Sequence, residues 1–269
     1  MSDQMKAGGD RMEDSRLYTL QRRNEILRIL REQGSVSVNR LAEHFQVSGT
    51  TIRLDLTALE KTGVISRTHG GAMLSGNVER EPLILERENK AEKERIALKA
   101  VTLISENDTI LIDTGTTMHA LAGALAASQL THLRVYSNDL DVLRILEEKE
   151  SFELHLMGGV IRNGFHYTAG NQVIAELSNY HFGKMFLATS AISLECGLTT
   201  ANSDLAAIKT AMISASEEVI LLTDSSKMHH VLFQRFADLE AVDTLITDSG
   251  LAGEDEAALG ARIRSVVIV

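Results

Sequence analysis

Apolar residues are spaced in two regimes along this chain. Up to residue 74 they recur at helical period. From residue 109 they come in short solid runs separated by amphipathic stretches. In the first regime Ile26, Leu27, Ile29 and Leu30 mark a helix over residues 21–33, which Gly34 stops. A second helix is predicted over 38–45, with Ser37 as N-cap and Leu41 and Phe45 facing inward. Gln46-Val47-Ser48 makes a tight turn in which Val47 plugs the junction and Ser48 caps the next helix. That third helix runs through GTTIRLDLTALEKTG, with Ile52, Leu56 and Leu59 as its buried stripe and Gly63 as its end. Residues 64–67 and 72–74 are predicted as a small hairpin around His69-Gly70-Gly71.

In the second regime the apolar runs predict strands over 109–112, 133–136, 153–157, 184–188, 219–223, 244–247 and 265–269. Helices are predicted over 96–104, 118–127, 140–148, 172–179, 203–214 and 256–262. Short apolar strands alternating with helices specify a mainly parallel α/β sheet covered on both faces. The fold class expected is therefore α/β, with a small winged helix-turn-helix module ahead of the parallel layer. The partition expected is a disordered tail over 1–17, the DNA-binding module over 18–75, a charged connector over 76–95 and an effector-binding module over 96–269. The connector holds the only proline, Pro82.

A winged helix-turn-helix inserts its third helix into the DNA major groove by the N-terminal end. That brings Ser48, Gly49, Thr50, Thr51, Arg53 and Leu54 toward base edges or phosphates. The short hydroxyls allow close approach, and Arg53 reaches a phosphate or a guanine edge. Arg67 and His69 are the wing's candidates for backbone or minor-groove contact.

Charge supports this division. The net charge of -10 argues against a nucleic-acid binder until it is split along the chain. Residues 16–74 hold nine Lys or Arg against five Asp or Glu, whereas residues 75–269 hold 16 against 28. A basic module thus precedes an acidic one, and phosphate binding needs local positive charge only. Hydrophobic residues at 44% and a mean hydropathy of -0.02 mark an ordinary soluble globular protein. One cysteine, Cys196, excludes a disulfide framework and a CxxC metal site and fits a reduced, cytoplasmic compartment. No apolar stretch approaches a membrane span, and the polar N-terminus has no signal-peptide core.

Ligands of parallel α/β sheets sit at the carboxyl ends of the strands. Read in order, those ends are Asp113-Thr-Gly-Thr-Thr117, Tyr136-Ser-Asn-Asp139, Met157-Gly-Gly159 with Arg162, Ala188-Thr-Ser-Ala-Ile192, and Thr223-Asp-Ser-Ser-Lys227. Backbone N–H groups after Gly115, at a helix start, suit a phosphate. Lys227 adds a point charge, and Asp113 and Asn138 suit hydroxyls. There is no GxxxxGK[ST] and no GxGxxG. His229-His230 is read as solvated and His155 and His181 as partly buried, so no metal and no cofactor is expected.

The stretch VSVNRLAEHFQVSGTTIRLDLTALEKTGVISRTHGGA resembles the N-terminal signature of DeoR-family transcriptional regulators. One departure is Leu54, where the family usually has a second arginine after Arg53. The remainder resembles the family's sensor domain, which is similar in fold to ribose-5-phosphate isomerase. The resemblance implies an effector pocket lined by Asp113, Gly115, Thr116, Thr117, Asn138, Gly158, Gly159, Arg162 and Lys227, with Thr199 and Thr200 closing it. It implies a repressor of sugar catabolism genes, with double-stranded operator DNA and a phosphorylated sugar as partners. At least a homodimer is expected, since one winged helix reads too few base pairs for useful specificity. The alternative is an isomerase-like enzyme carrying a DNA-binding module. Such an enzyme needs a carboxylate base near the fourth strand end, where LATSAISLECG offers first Glu195.

Overall fold

The computed structural model describes residues 19, 22–23, 25–30, 35–61, 65–68, 70–74, 89–162 and 164–269. The expected tail, Gly34, Gly63, Val64, His69 and residues 75–88 of the connector lie outside the described residues. The chain divides into two compact units, Met1–Glu79 and Arg80–Val269.

In the first unit, helical residues 25–30 bury Ile26, Leu27, Ile29 and Leu30. Helix α1, Val38–Phe45, opens at Ser37, whose Oγ accepts from the Arg40 N–H at 3.2 Å. It closes at Gln46 in the left-handed region, φ 52°, and the Val47 N–H bonds back to Ala42 at 3.1 Å. Leu41 is fully buried, whereas Phe45 is only half-buried. Helix α2, Gly49–Lys61, buries Ile52, Leu56 and Leu59 as the spacing predicts. Strands β2, Ile65–Thr68, and β3, Gly71–Leu74, form the expected hairpin. The sequence pattern misses β1, Ser35–Ser37, which pairs antiparallel with β3. Three residues are too few to show alternation. Gly71 is what admits this strand, because a Cβ there would lie 2.1 Å from the Val36 carbonyl oxygen.

The second unit is a seven-stranded parallel sheet, in the order β15-β14-β12-β9-β4-β5-β6. The strands are β4 (Thr109–Ile112), β5 (Arg134–Ser137), β6 (Glu153–Leu156), β9 (Phe182–Leu187), β12 (Ser216–Leu222), β14 (Thr244–Thr247) and β15 (Ser265–Ile268). All seven match predicted runs with ends shifted by no more than three residues. Along β4, Ile110 and Ile112 point to one face and Leu111 to the other, and all three are fully buried. One face packs on α3 (Lys90–Val101), α4 (Thr116–Ala127) and α5 (Leu140–Leu146). The other packs on α6 (Asn171–Leu177), α7 (Ser203–Ser214) and α8 (Gly253–Gly260). Helix α3 opens at Lys90, inside the stretch expected as connector. Its first turn is charged and masks the start, while Ile96, Ala97 and Ala100 supply the buried face.

Two features were absent from the sequence reading. Strands β7, Val160–Arg162, and β8, Tyr167–Ala169, form a hairpin beyond β6. Strands β10 (Ala191–Ser193), β11 (Gly197–Thr200) and β13 (Gln234–Ala237) form a small antiparallel sheet. Each is three or four residues long, below the length at which periodicity registers. His155 is half-buried as expected, stacked 4.1 Å from Tyr136, but His181 is exposed.

The contact at Gly71 gives a stability expectation. Gly71→Ala forces β1 off β3 and costs roughly 2–3 kcal/mol, within the usual range for local strain. Urea unfolding of the variant checks this, and an unchanged midpoint removes β1 from the account.

Candidate functional site

The entry to α2 has the geometry a groove-reading helix needs. Ser48 Oγ accepts from the Thr51 N–H at 3.1 Å and pairs with Thr51 Oγ1 at 2.9 Å. Ser48 and Thr50 are exposed, and Gly49 and Thr51 half-exposed. Arg53 is exposed and leans back along the helix, its Nη1 3.5 Å from where a Gly49 Cβ would lie. Leu54 is 66% exposed, so it is no part of the core. Arg67 donates from Nη1 to Thr57 Oγ1 at 2.8 Å and from its backbone to Glu60 Oε1 at 3.2 Å. The wing's arginine is thereby drawn onto the body of α2.

In the second unit the chain steps outward from β4 to β5 and β6, then returns to β9 on the other side of β4. The crevice between β4 and β9 is thus the topological switch point, where such sheets bind ligands. Asp113 ends β4 and spans it. Its N–H donates to Phe186 O at 3.0 Å, and its Oδ2 accepts from the Ala188 N–H at 2.9 Å. The same Oδ2 accepts from Lys209 Nζ, from α7. Lys209 Nζ also donates to Ala188 O at 3.0 Å and lies 5.6 Å from the Phe236 ring centre. Both members of this ion pair are buried.

Among the described residues, three buried side-chain atoms make no hydrogen bond: Asp113 Oδ1, Asn138 Oδ1 and Thr200 Oγ1. All three belong to the residues expected from the sequence. Asp113 and Asn138 directly follow the paired residues Ile112 and Ser137, so they stand side by side on adjacent strands. Asn138 Nδ2 donates to Thr168 O at 2.9 Å, and the Thr168 N–H donates to Asn138 O at 2.8 Å. These bonds seat the β7–β8 hairpin over the ends of β5 and β6. Thr200 ends β11 and leads through Asn202 into α7. Asn202 Oδ1 caps that helix by accepting from the Leu205 N–H at 2.8 Å. Thr199 Oγ1 instead accepts from the Leu232 N–H at 2.9 Å.

The start of α4 lies beside these atoms in the chain. Gly115 caps it at φ 121° with no side-chain cap, leaving the first turn of Thr116 and Thr117 without that cover. Asp139 holds this turn in place. Its Oδ2 accepts from the Gly115 N–H at 3.2 Å and bonds His119 Nε2 at 3.1 Å. Its Oδ1 accepts from the Asp141 and Val142 N–H groups at 2.9 and 3.2 Å, capping α5. His119, Asp139 and Asp141 offer ligand atoms within 4.8 Å of one another. The bonds just given occupy both Asp139 oxygens, which accounts for the grouping without an ion.

The remaining expected residues divide by what engages them. Lys227 ends a short turn over Ser225–Lys227, and its Nζ is 3.9 Å from Asp224 Oδ2. Asn89 reaches the same turn, donating to Asp224 Oδ1 at 2.8 Å. The Arg162 guanidinium stacks 4.8 Å from the Phe165 ring centre. The Gly158 N–H donates to Glu176 Oε2 at 3.0 Å. Gly159, at φ 146°, meets Ala169 O at 2.6 Å from a notional Cβ, so packing alone requires glycine there. Lys209 and Asp139 were missed. Nothing local distinguishes Lys209 in SDLAAIKTAMIS, since its partner is 96 positions away.

Comparison with known proteins matches residues 22–77 to the DeoR-like helix-turn-helix domain. Residues 88–249 match the DeoR C terminal sensor domain. The putative aga operon transcriptional repressor of Escherichia coli O157:H7 is 36% identical over 240 residues, 88% of each chain. The glycerol-3-phosphate regulon repressor of Escherichia coli strain K12 is 34% identical over 230 residues, 85% of this chain and 90% of that one. Among solved structures, ribose 5 phosphate isomerase A from Neisseria gonorrhoeae is 20% identical, with a TM-score of 0.37 over 51% of this chain and 52% of that one. No helix among the described residues is long and apolar enough to cross a membrane.

The Asp139 network makes stability acid-sensitive in a defined direction. Burial alone raises the Asp139 carboxyl's affinity for protons. Hydrogen bonds from His119, Thr114 and the Val142 N–H outweigh it and hold the group below the ordinary carboxylate range. A depressed native value stabilises the fold above the unfolded value, about 3.9, and is lost as pH falls through the lower folded one. Asp139→Asn is therefore expected to be less stable at pH 7 and to lose less stability than the parent between pH 5 and pH 3. Urea unfolding at several pH values measures both slopes, and parallel acid limbs would refute the assignment.

Proposed function

The chain belongs to the DeoR family of helix-turn-helix regulators, and from that premise we propose a repressor released from its operator by a phosphorylated sugar or related metabolite. The observation that carries the effector half is the row of buried, unbonded Asp113, Asn138 and Thr200 atoms at the switch point. An unsatisfied buried polar atom costs roughly 1–3 kcal/mol. Three together are sustained where a ligand supplies their partners. The uncapped start of α4 offers backbone donors and a positive dipole end for the phosphate. Lys227 and Arg162 add the cations.

The site reads as a sensor rather than an isomerase. The residues of the β9 end, Ala188-Thr189-Ser190, carry no acid. Asp113 does reach that end from β4, but its Oδ2 is held by an ammonium and a backbone N–H. Glu195, the alternative base, is exposed on the β10–β11 turn. Both relatives described above are named as repressors. For the DNA half, Ser48, Gly49, Thr50, Thr51, Arg53 and Leu54 face the groove, with Arg67 and His69 on the wing. Two or more copies bind one operator, because a single winged helix spans too few base pairs.

Arg53→Ala is expected to abolish specific operator binding while the thermal transition stays in place. Unchanged affinity in a gel-shift titration at fixed salt sinks the groove assignment. On the effector side, removing a charge-assisted contact costs roughly 1.5–3 kcal/mol, or about ten- to a hundredfold in affinity. Lys227→Ala is expected to need that much more sugar phosphate to release operator DNA. Calorimetry on the parent should show binding of the phosphorylated compound and none of its unphosphorylated form. Equal affinity for the two removes the phosphate cradle.

A further inference from the structure

The sugar-phosphate reading leaves open which chemistry the other end of the effector presents. The three unbonded atoms answer this through their hydrogen-bonding sense. Asn138 Nδ2 is fixed by Thr168 O, so the amide's other atom, Oδ1, is the one left unbonded, and it can only accept. Asp113 has one oxygen bound to Lys209 and the Ala188 N–H, and its Oδ1 likewise only accepts. Thr200 Oγ1 accepts or donates. Two acceptors on neighbouring strands, with a hydroxyl as third group, call for a ligand that brings N–H or O–H donors.

Lys209 disfavours one of these donors, the charged amino group. Its ammonium is buried and donates to Asp113 Oδ2 and Ala188 O, with the Phe236 ring beside it. Paired, the two side chains carry no net charge. A ligand ammonium on Asp113 Oδ1 would add a third charge to this buried neutral pair, on the same carboxylate as the Lys209 ammonium. It would meet both a like charge and an uncompensated desolvation cost. A hydroxyl donates the same hydrogen bond with neither cost.

Resting on the sugar-phosphate reading, we propose that Lys209 is a specificity-determining residue of the effector pocket. It occupies one oxygen of Asp113 and neutralises the carboxylate, so that Asp113 and Asn138, whose free oxygens can only accept and so face no phosphate oxygen, select neutral hydroxyls of the sugar and reject an amino group there. Lys209 acts through Asp113 and is a positioning residue, with no contact to the ligand.

Calorimetry with the full chain tests this. The probes are glucose 6-phosphate and galactose 6-phosphate, each with its counterparts bearing an amino group in place of the hydroxyl at carbon 2 or carbon 3. For whichever parent binds, both amino counterparts are expected to bind at least about tenfold more weakly, as befits a site built around one donor type. In Lys209→Gln, which keeps a donor to Asp113 and removes the charge, that ratio is expected to narrow to about threefold or less. Lys209→Arg keeps the charge and is expected to keep the discrimination. Thermal unfolding reports whether each variant folds. If Lys209→Gln does not fold, the ratios in the wild type and Lys209→Arg still decide. Amino counterparts binding as tightly as the parent in the wild type overturn the proposal, as does a folded Lys209→Gln with an unaltered ratio. The parents are drawn from a panel of pentose and hexose phosphates that includes these two, and absence of binding across the panel overturns the sugar-phosphate reading instead, and the proposal with it.

Discussion

The sensor unit is organised around a single junction, the Asp113 carboxylate at the point where the sheet reverses direction. Strands β4 and β9 are neighbours in space but 70 residues apart, with β5 and β6 laid down between them. Backbone pairing carries them together as far as Ile112 and Phe186. The Asp113 N–H makes a last backbone bond to Phe186 O, and past it side chains bridge the gap. Asp113 does so with one oxygen, gathering the Ala188 N–H and Lys209. A buried ion pair is a doubtful source of stability, since its desolvation cost offsets much of the attraction. Its retention at the switch point, beside an unbonded oxygen, fits a role in recognition better than one in holding the fold.

A similar economy holds at Asp139. One carboxylate caps α5, holds the Gly115 turn and binds His119. The loops after β4 and β5 are therefore fixed relative to each other, and the start of α4 is presented without a side chain of its own over it. The Gly115 turn is preorganised by Asp139, which in the sequence is legible only as a strand end. Apparent binding motifs such as Gly158-Gly159 meanwhile have structural explanations, in the Glu176 bond and the close approach of Ala169. Glycine at a loop reports that backbone passes close by. It does not by itself say whether the neighbour is protein or ligand.

What was legible in the sequence follows from length and distance. Strands such as β4 and β14 are four-residue apolar runs buried on both faces, so composition alone marks them and their ends. Helices α1 and α7 carry their N-caps, Ser37 and Asn202, in the sequence. The hairpin β7–β8 and the sheet of β10, β11 and β13 were illegible, because three or four residues cannot display a period. At the site, residues at strand ends can be found by position, which is how Asp113 and Asn138 are reached, whereas Thr200, at the end of the illegible β11, is supplied only by the family resemblance. Lys209 cannot be found by position. It lies mid-helix, among apolar residues, and its meaning comes wholly from a partner on another strand.

The DNA-binding half shows why counting charges and locating them are different arguments. The excess of four positive charges over residues 16–74 suggested a phosphate-binding surface. Yet Arg22 and Arg23 both bind the buried Asp55, at 2.6 and 2.9 Å. Arg28 pairs with Glu25, and Arg67 is drawn onto α2. Arg22 and Arg23 are thus spent on a buried carboxylate of the core, and Asp55 lies within α2, the helix proposed to enter the groove. With Leu54 in place of a second charged residue, the approach face of α2 is lightly charged at its entry. On the groove assignment proposed above, discrimination at that entry falls to Arg53 and the short hydroxyls of Ser48, Thr50 and Thr51, with the apolar Leu54 suited to a thymine methyl.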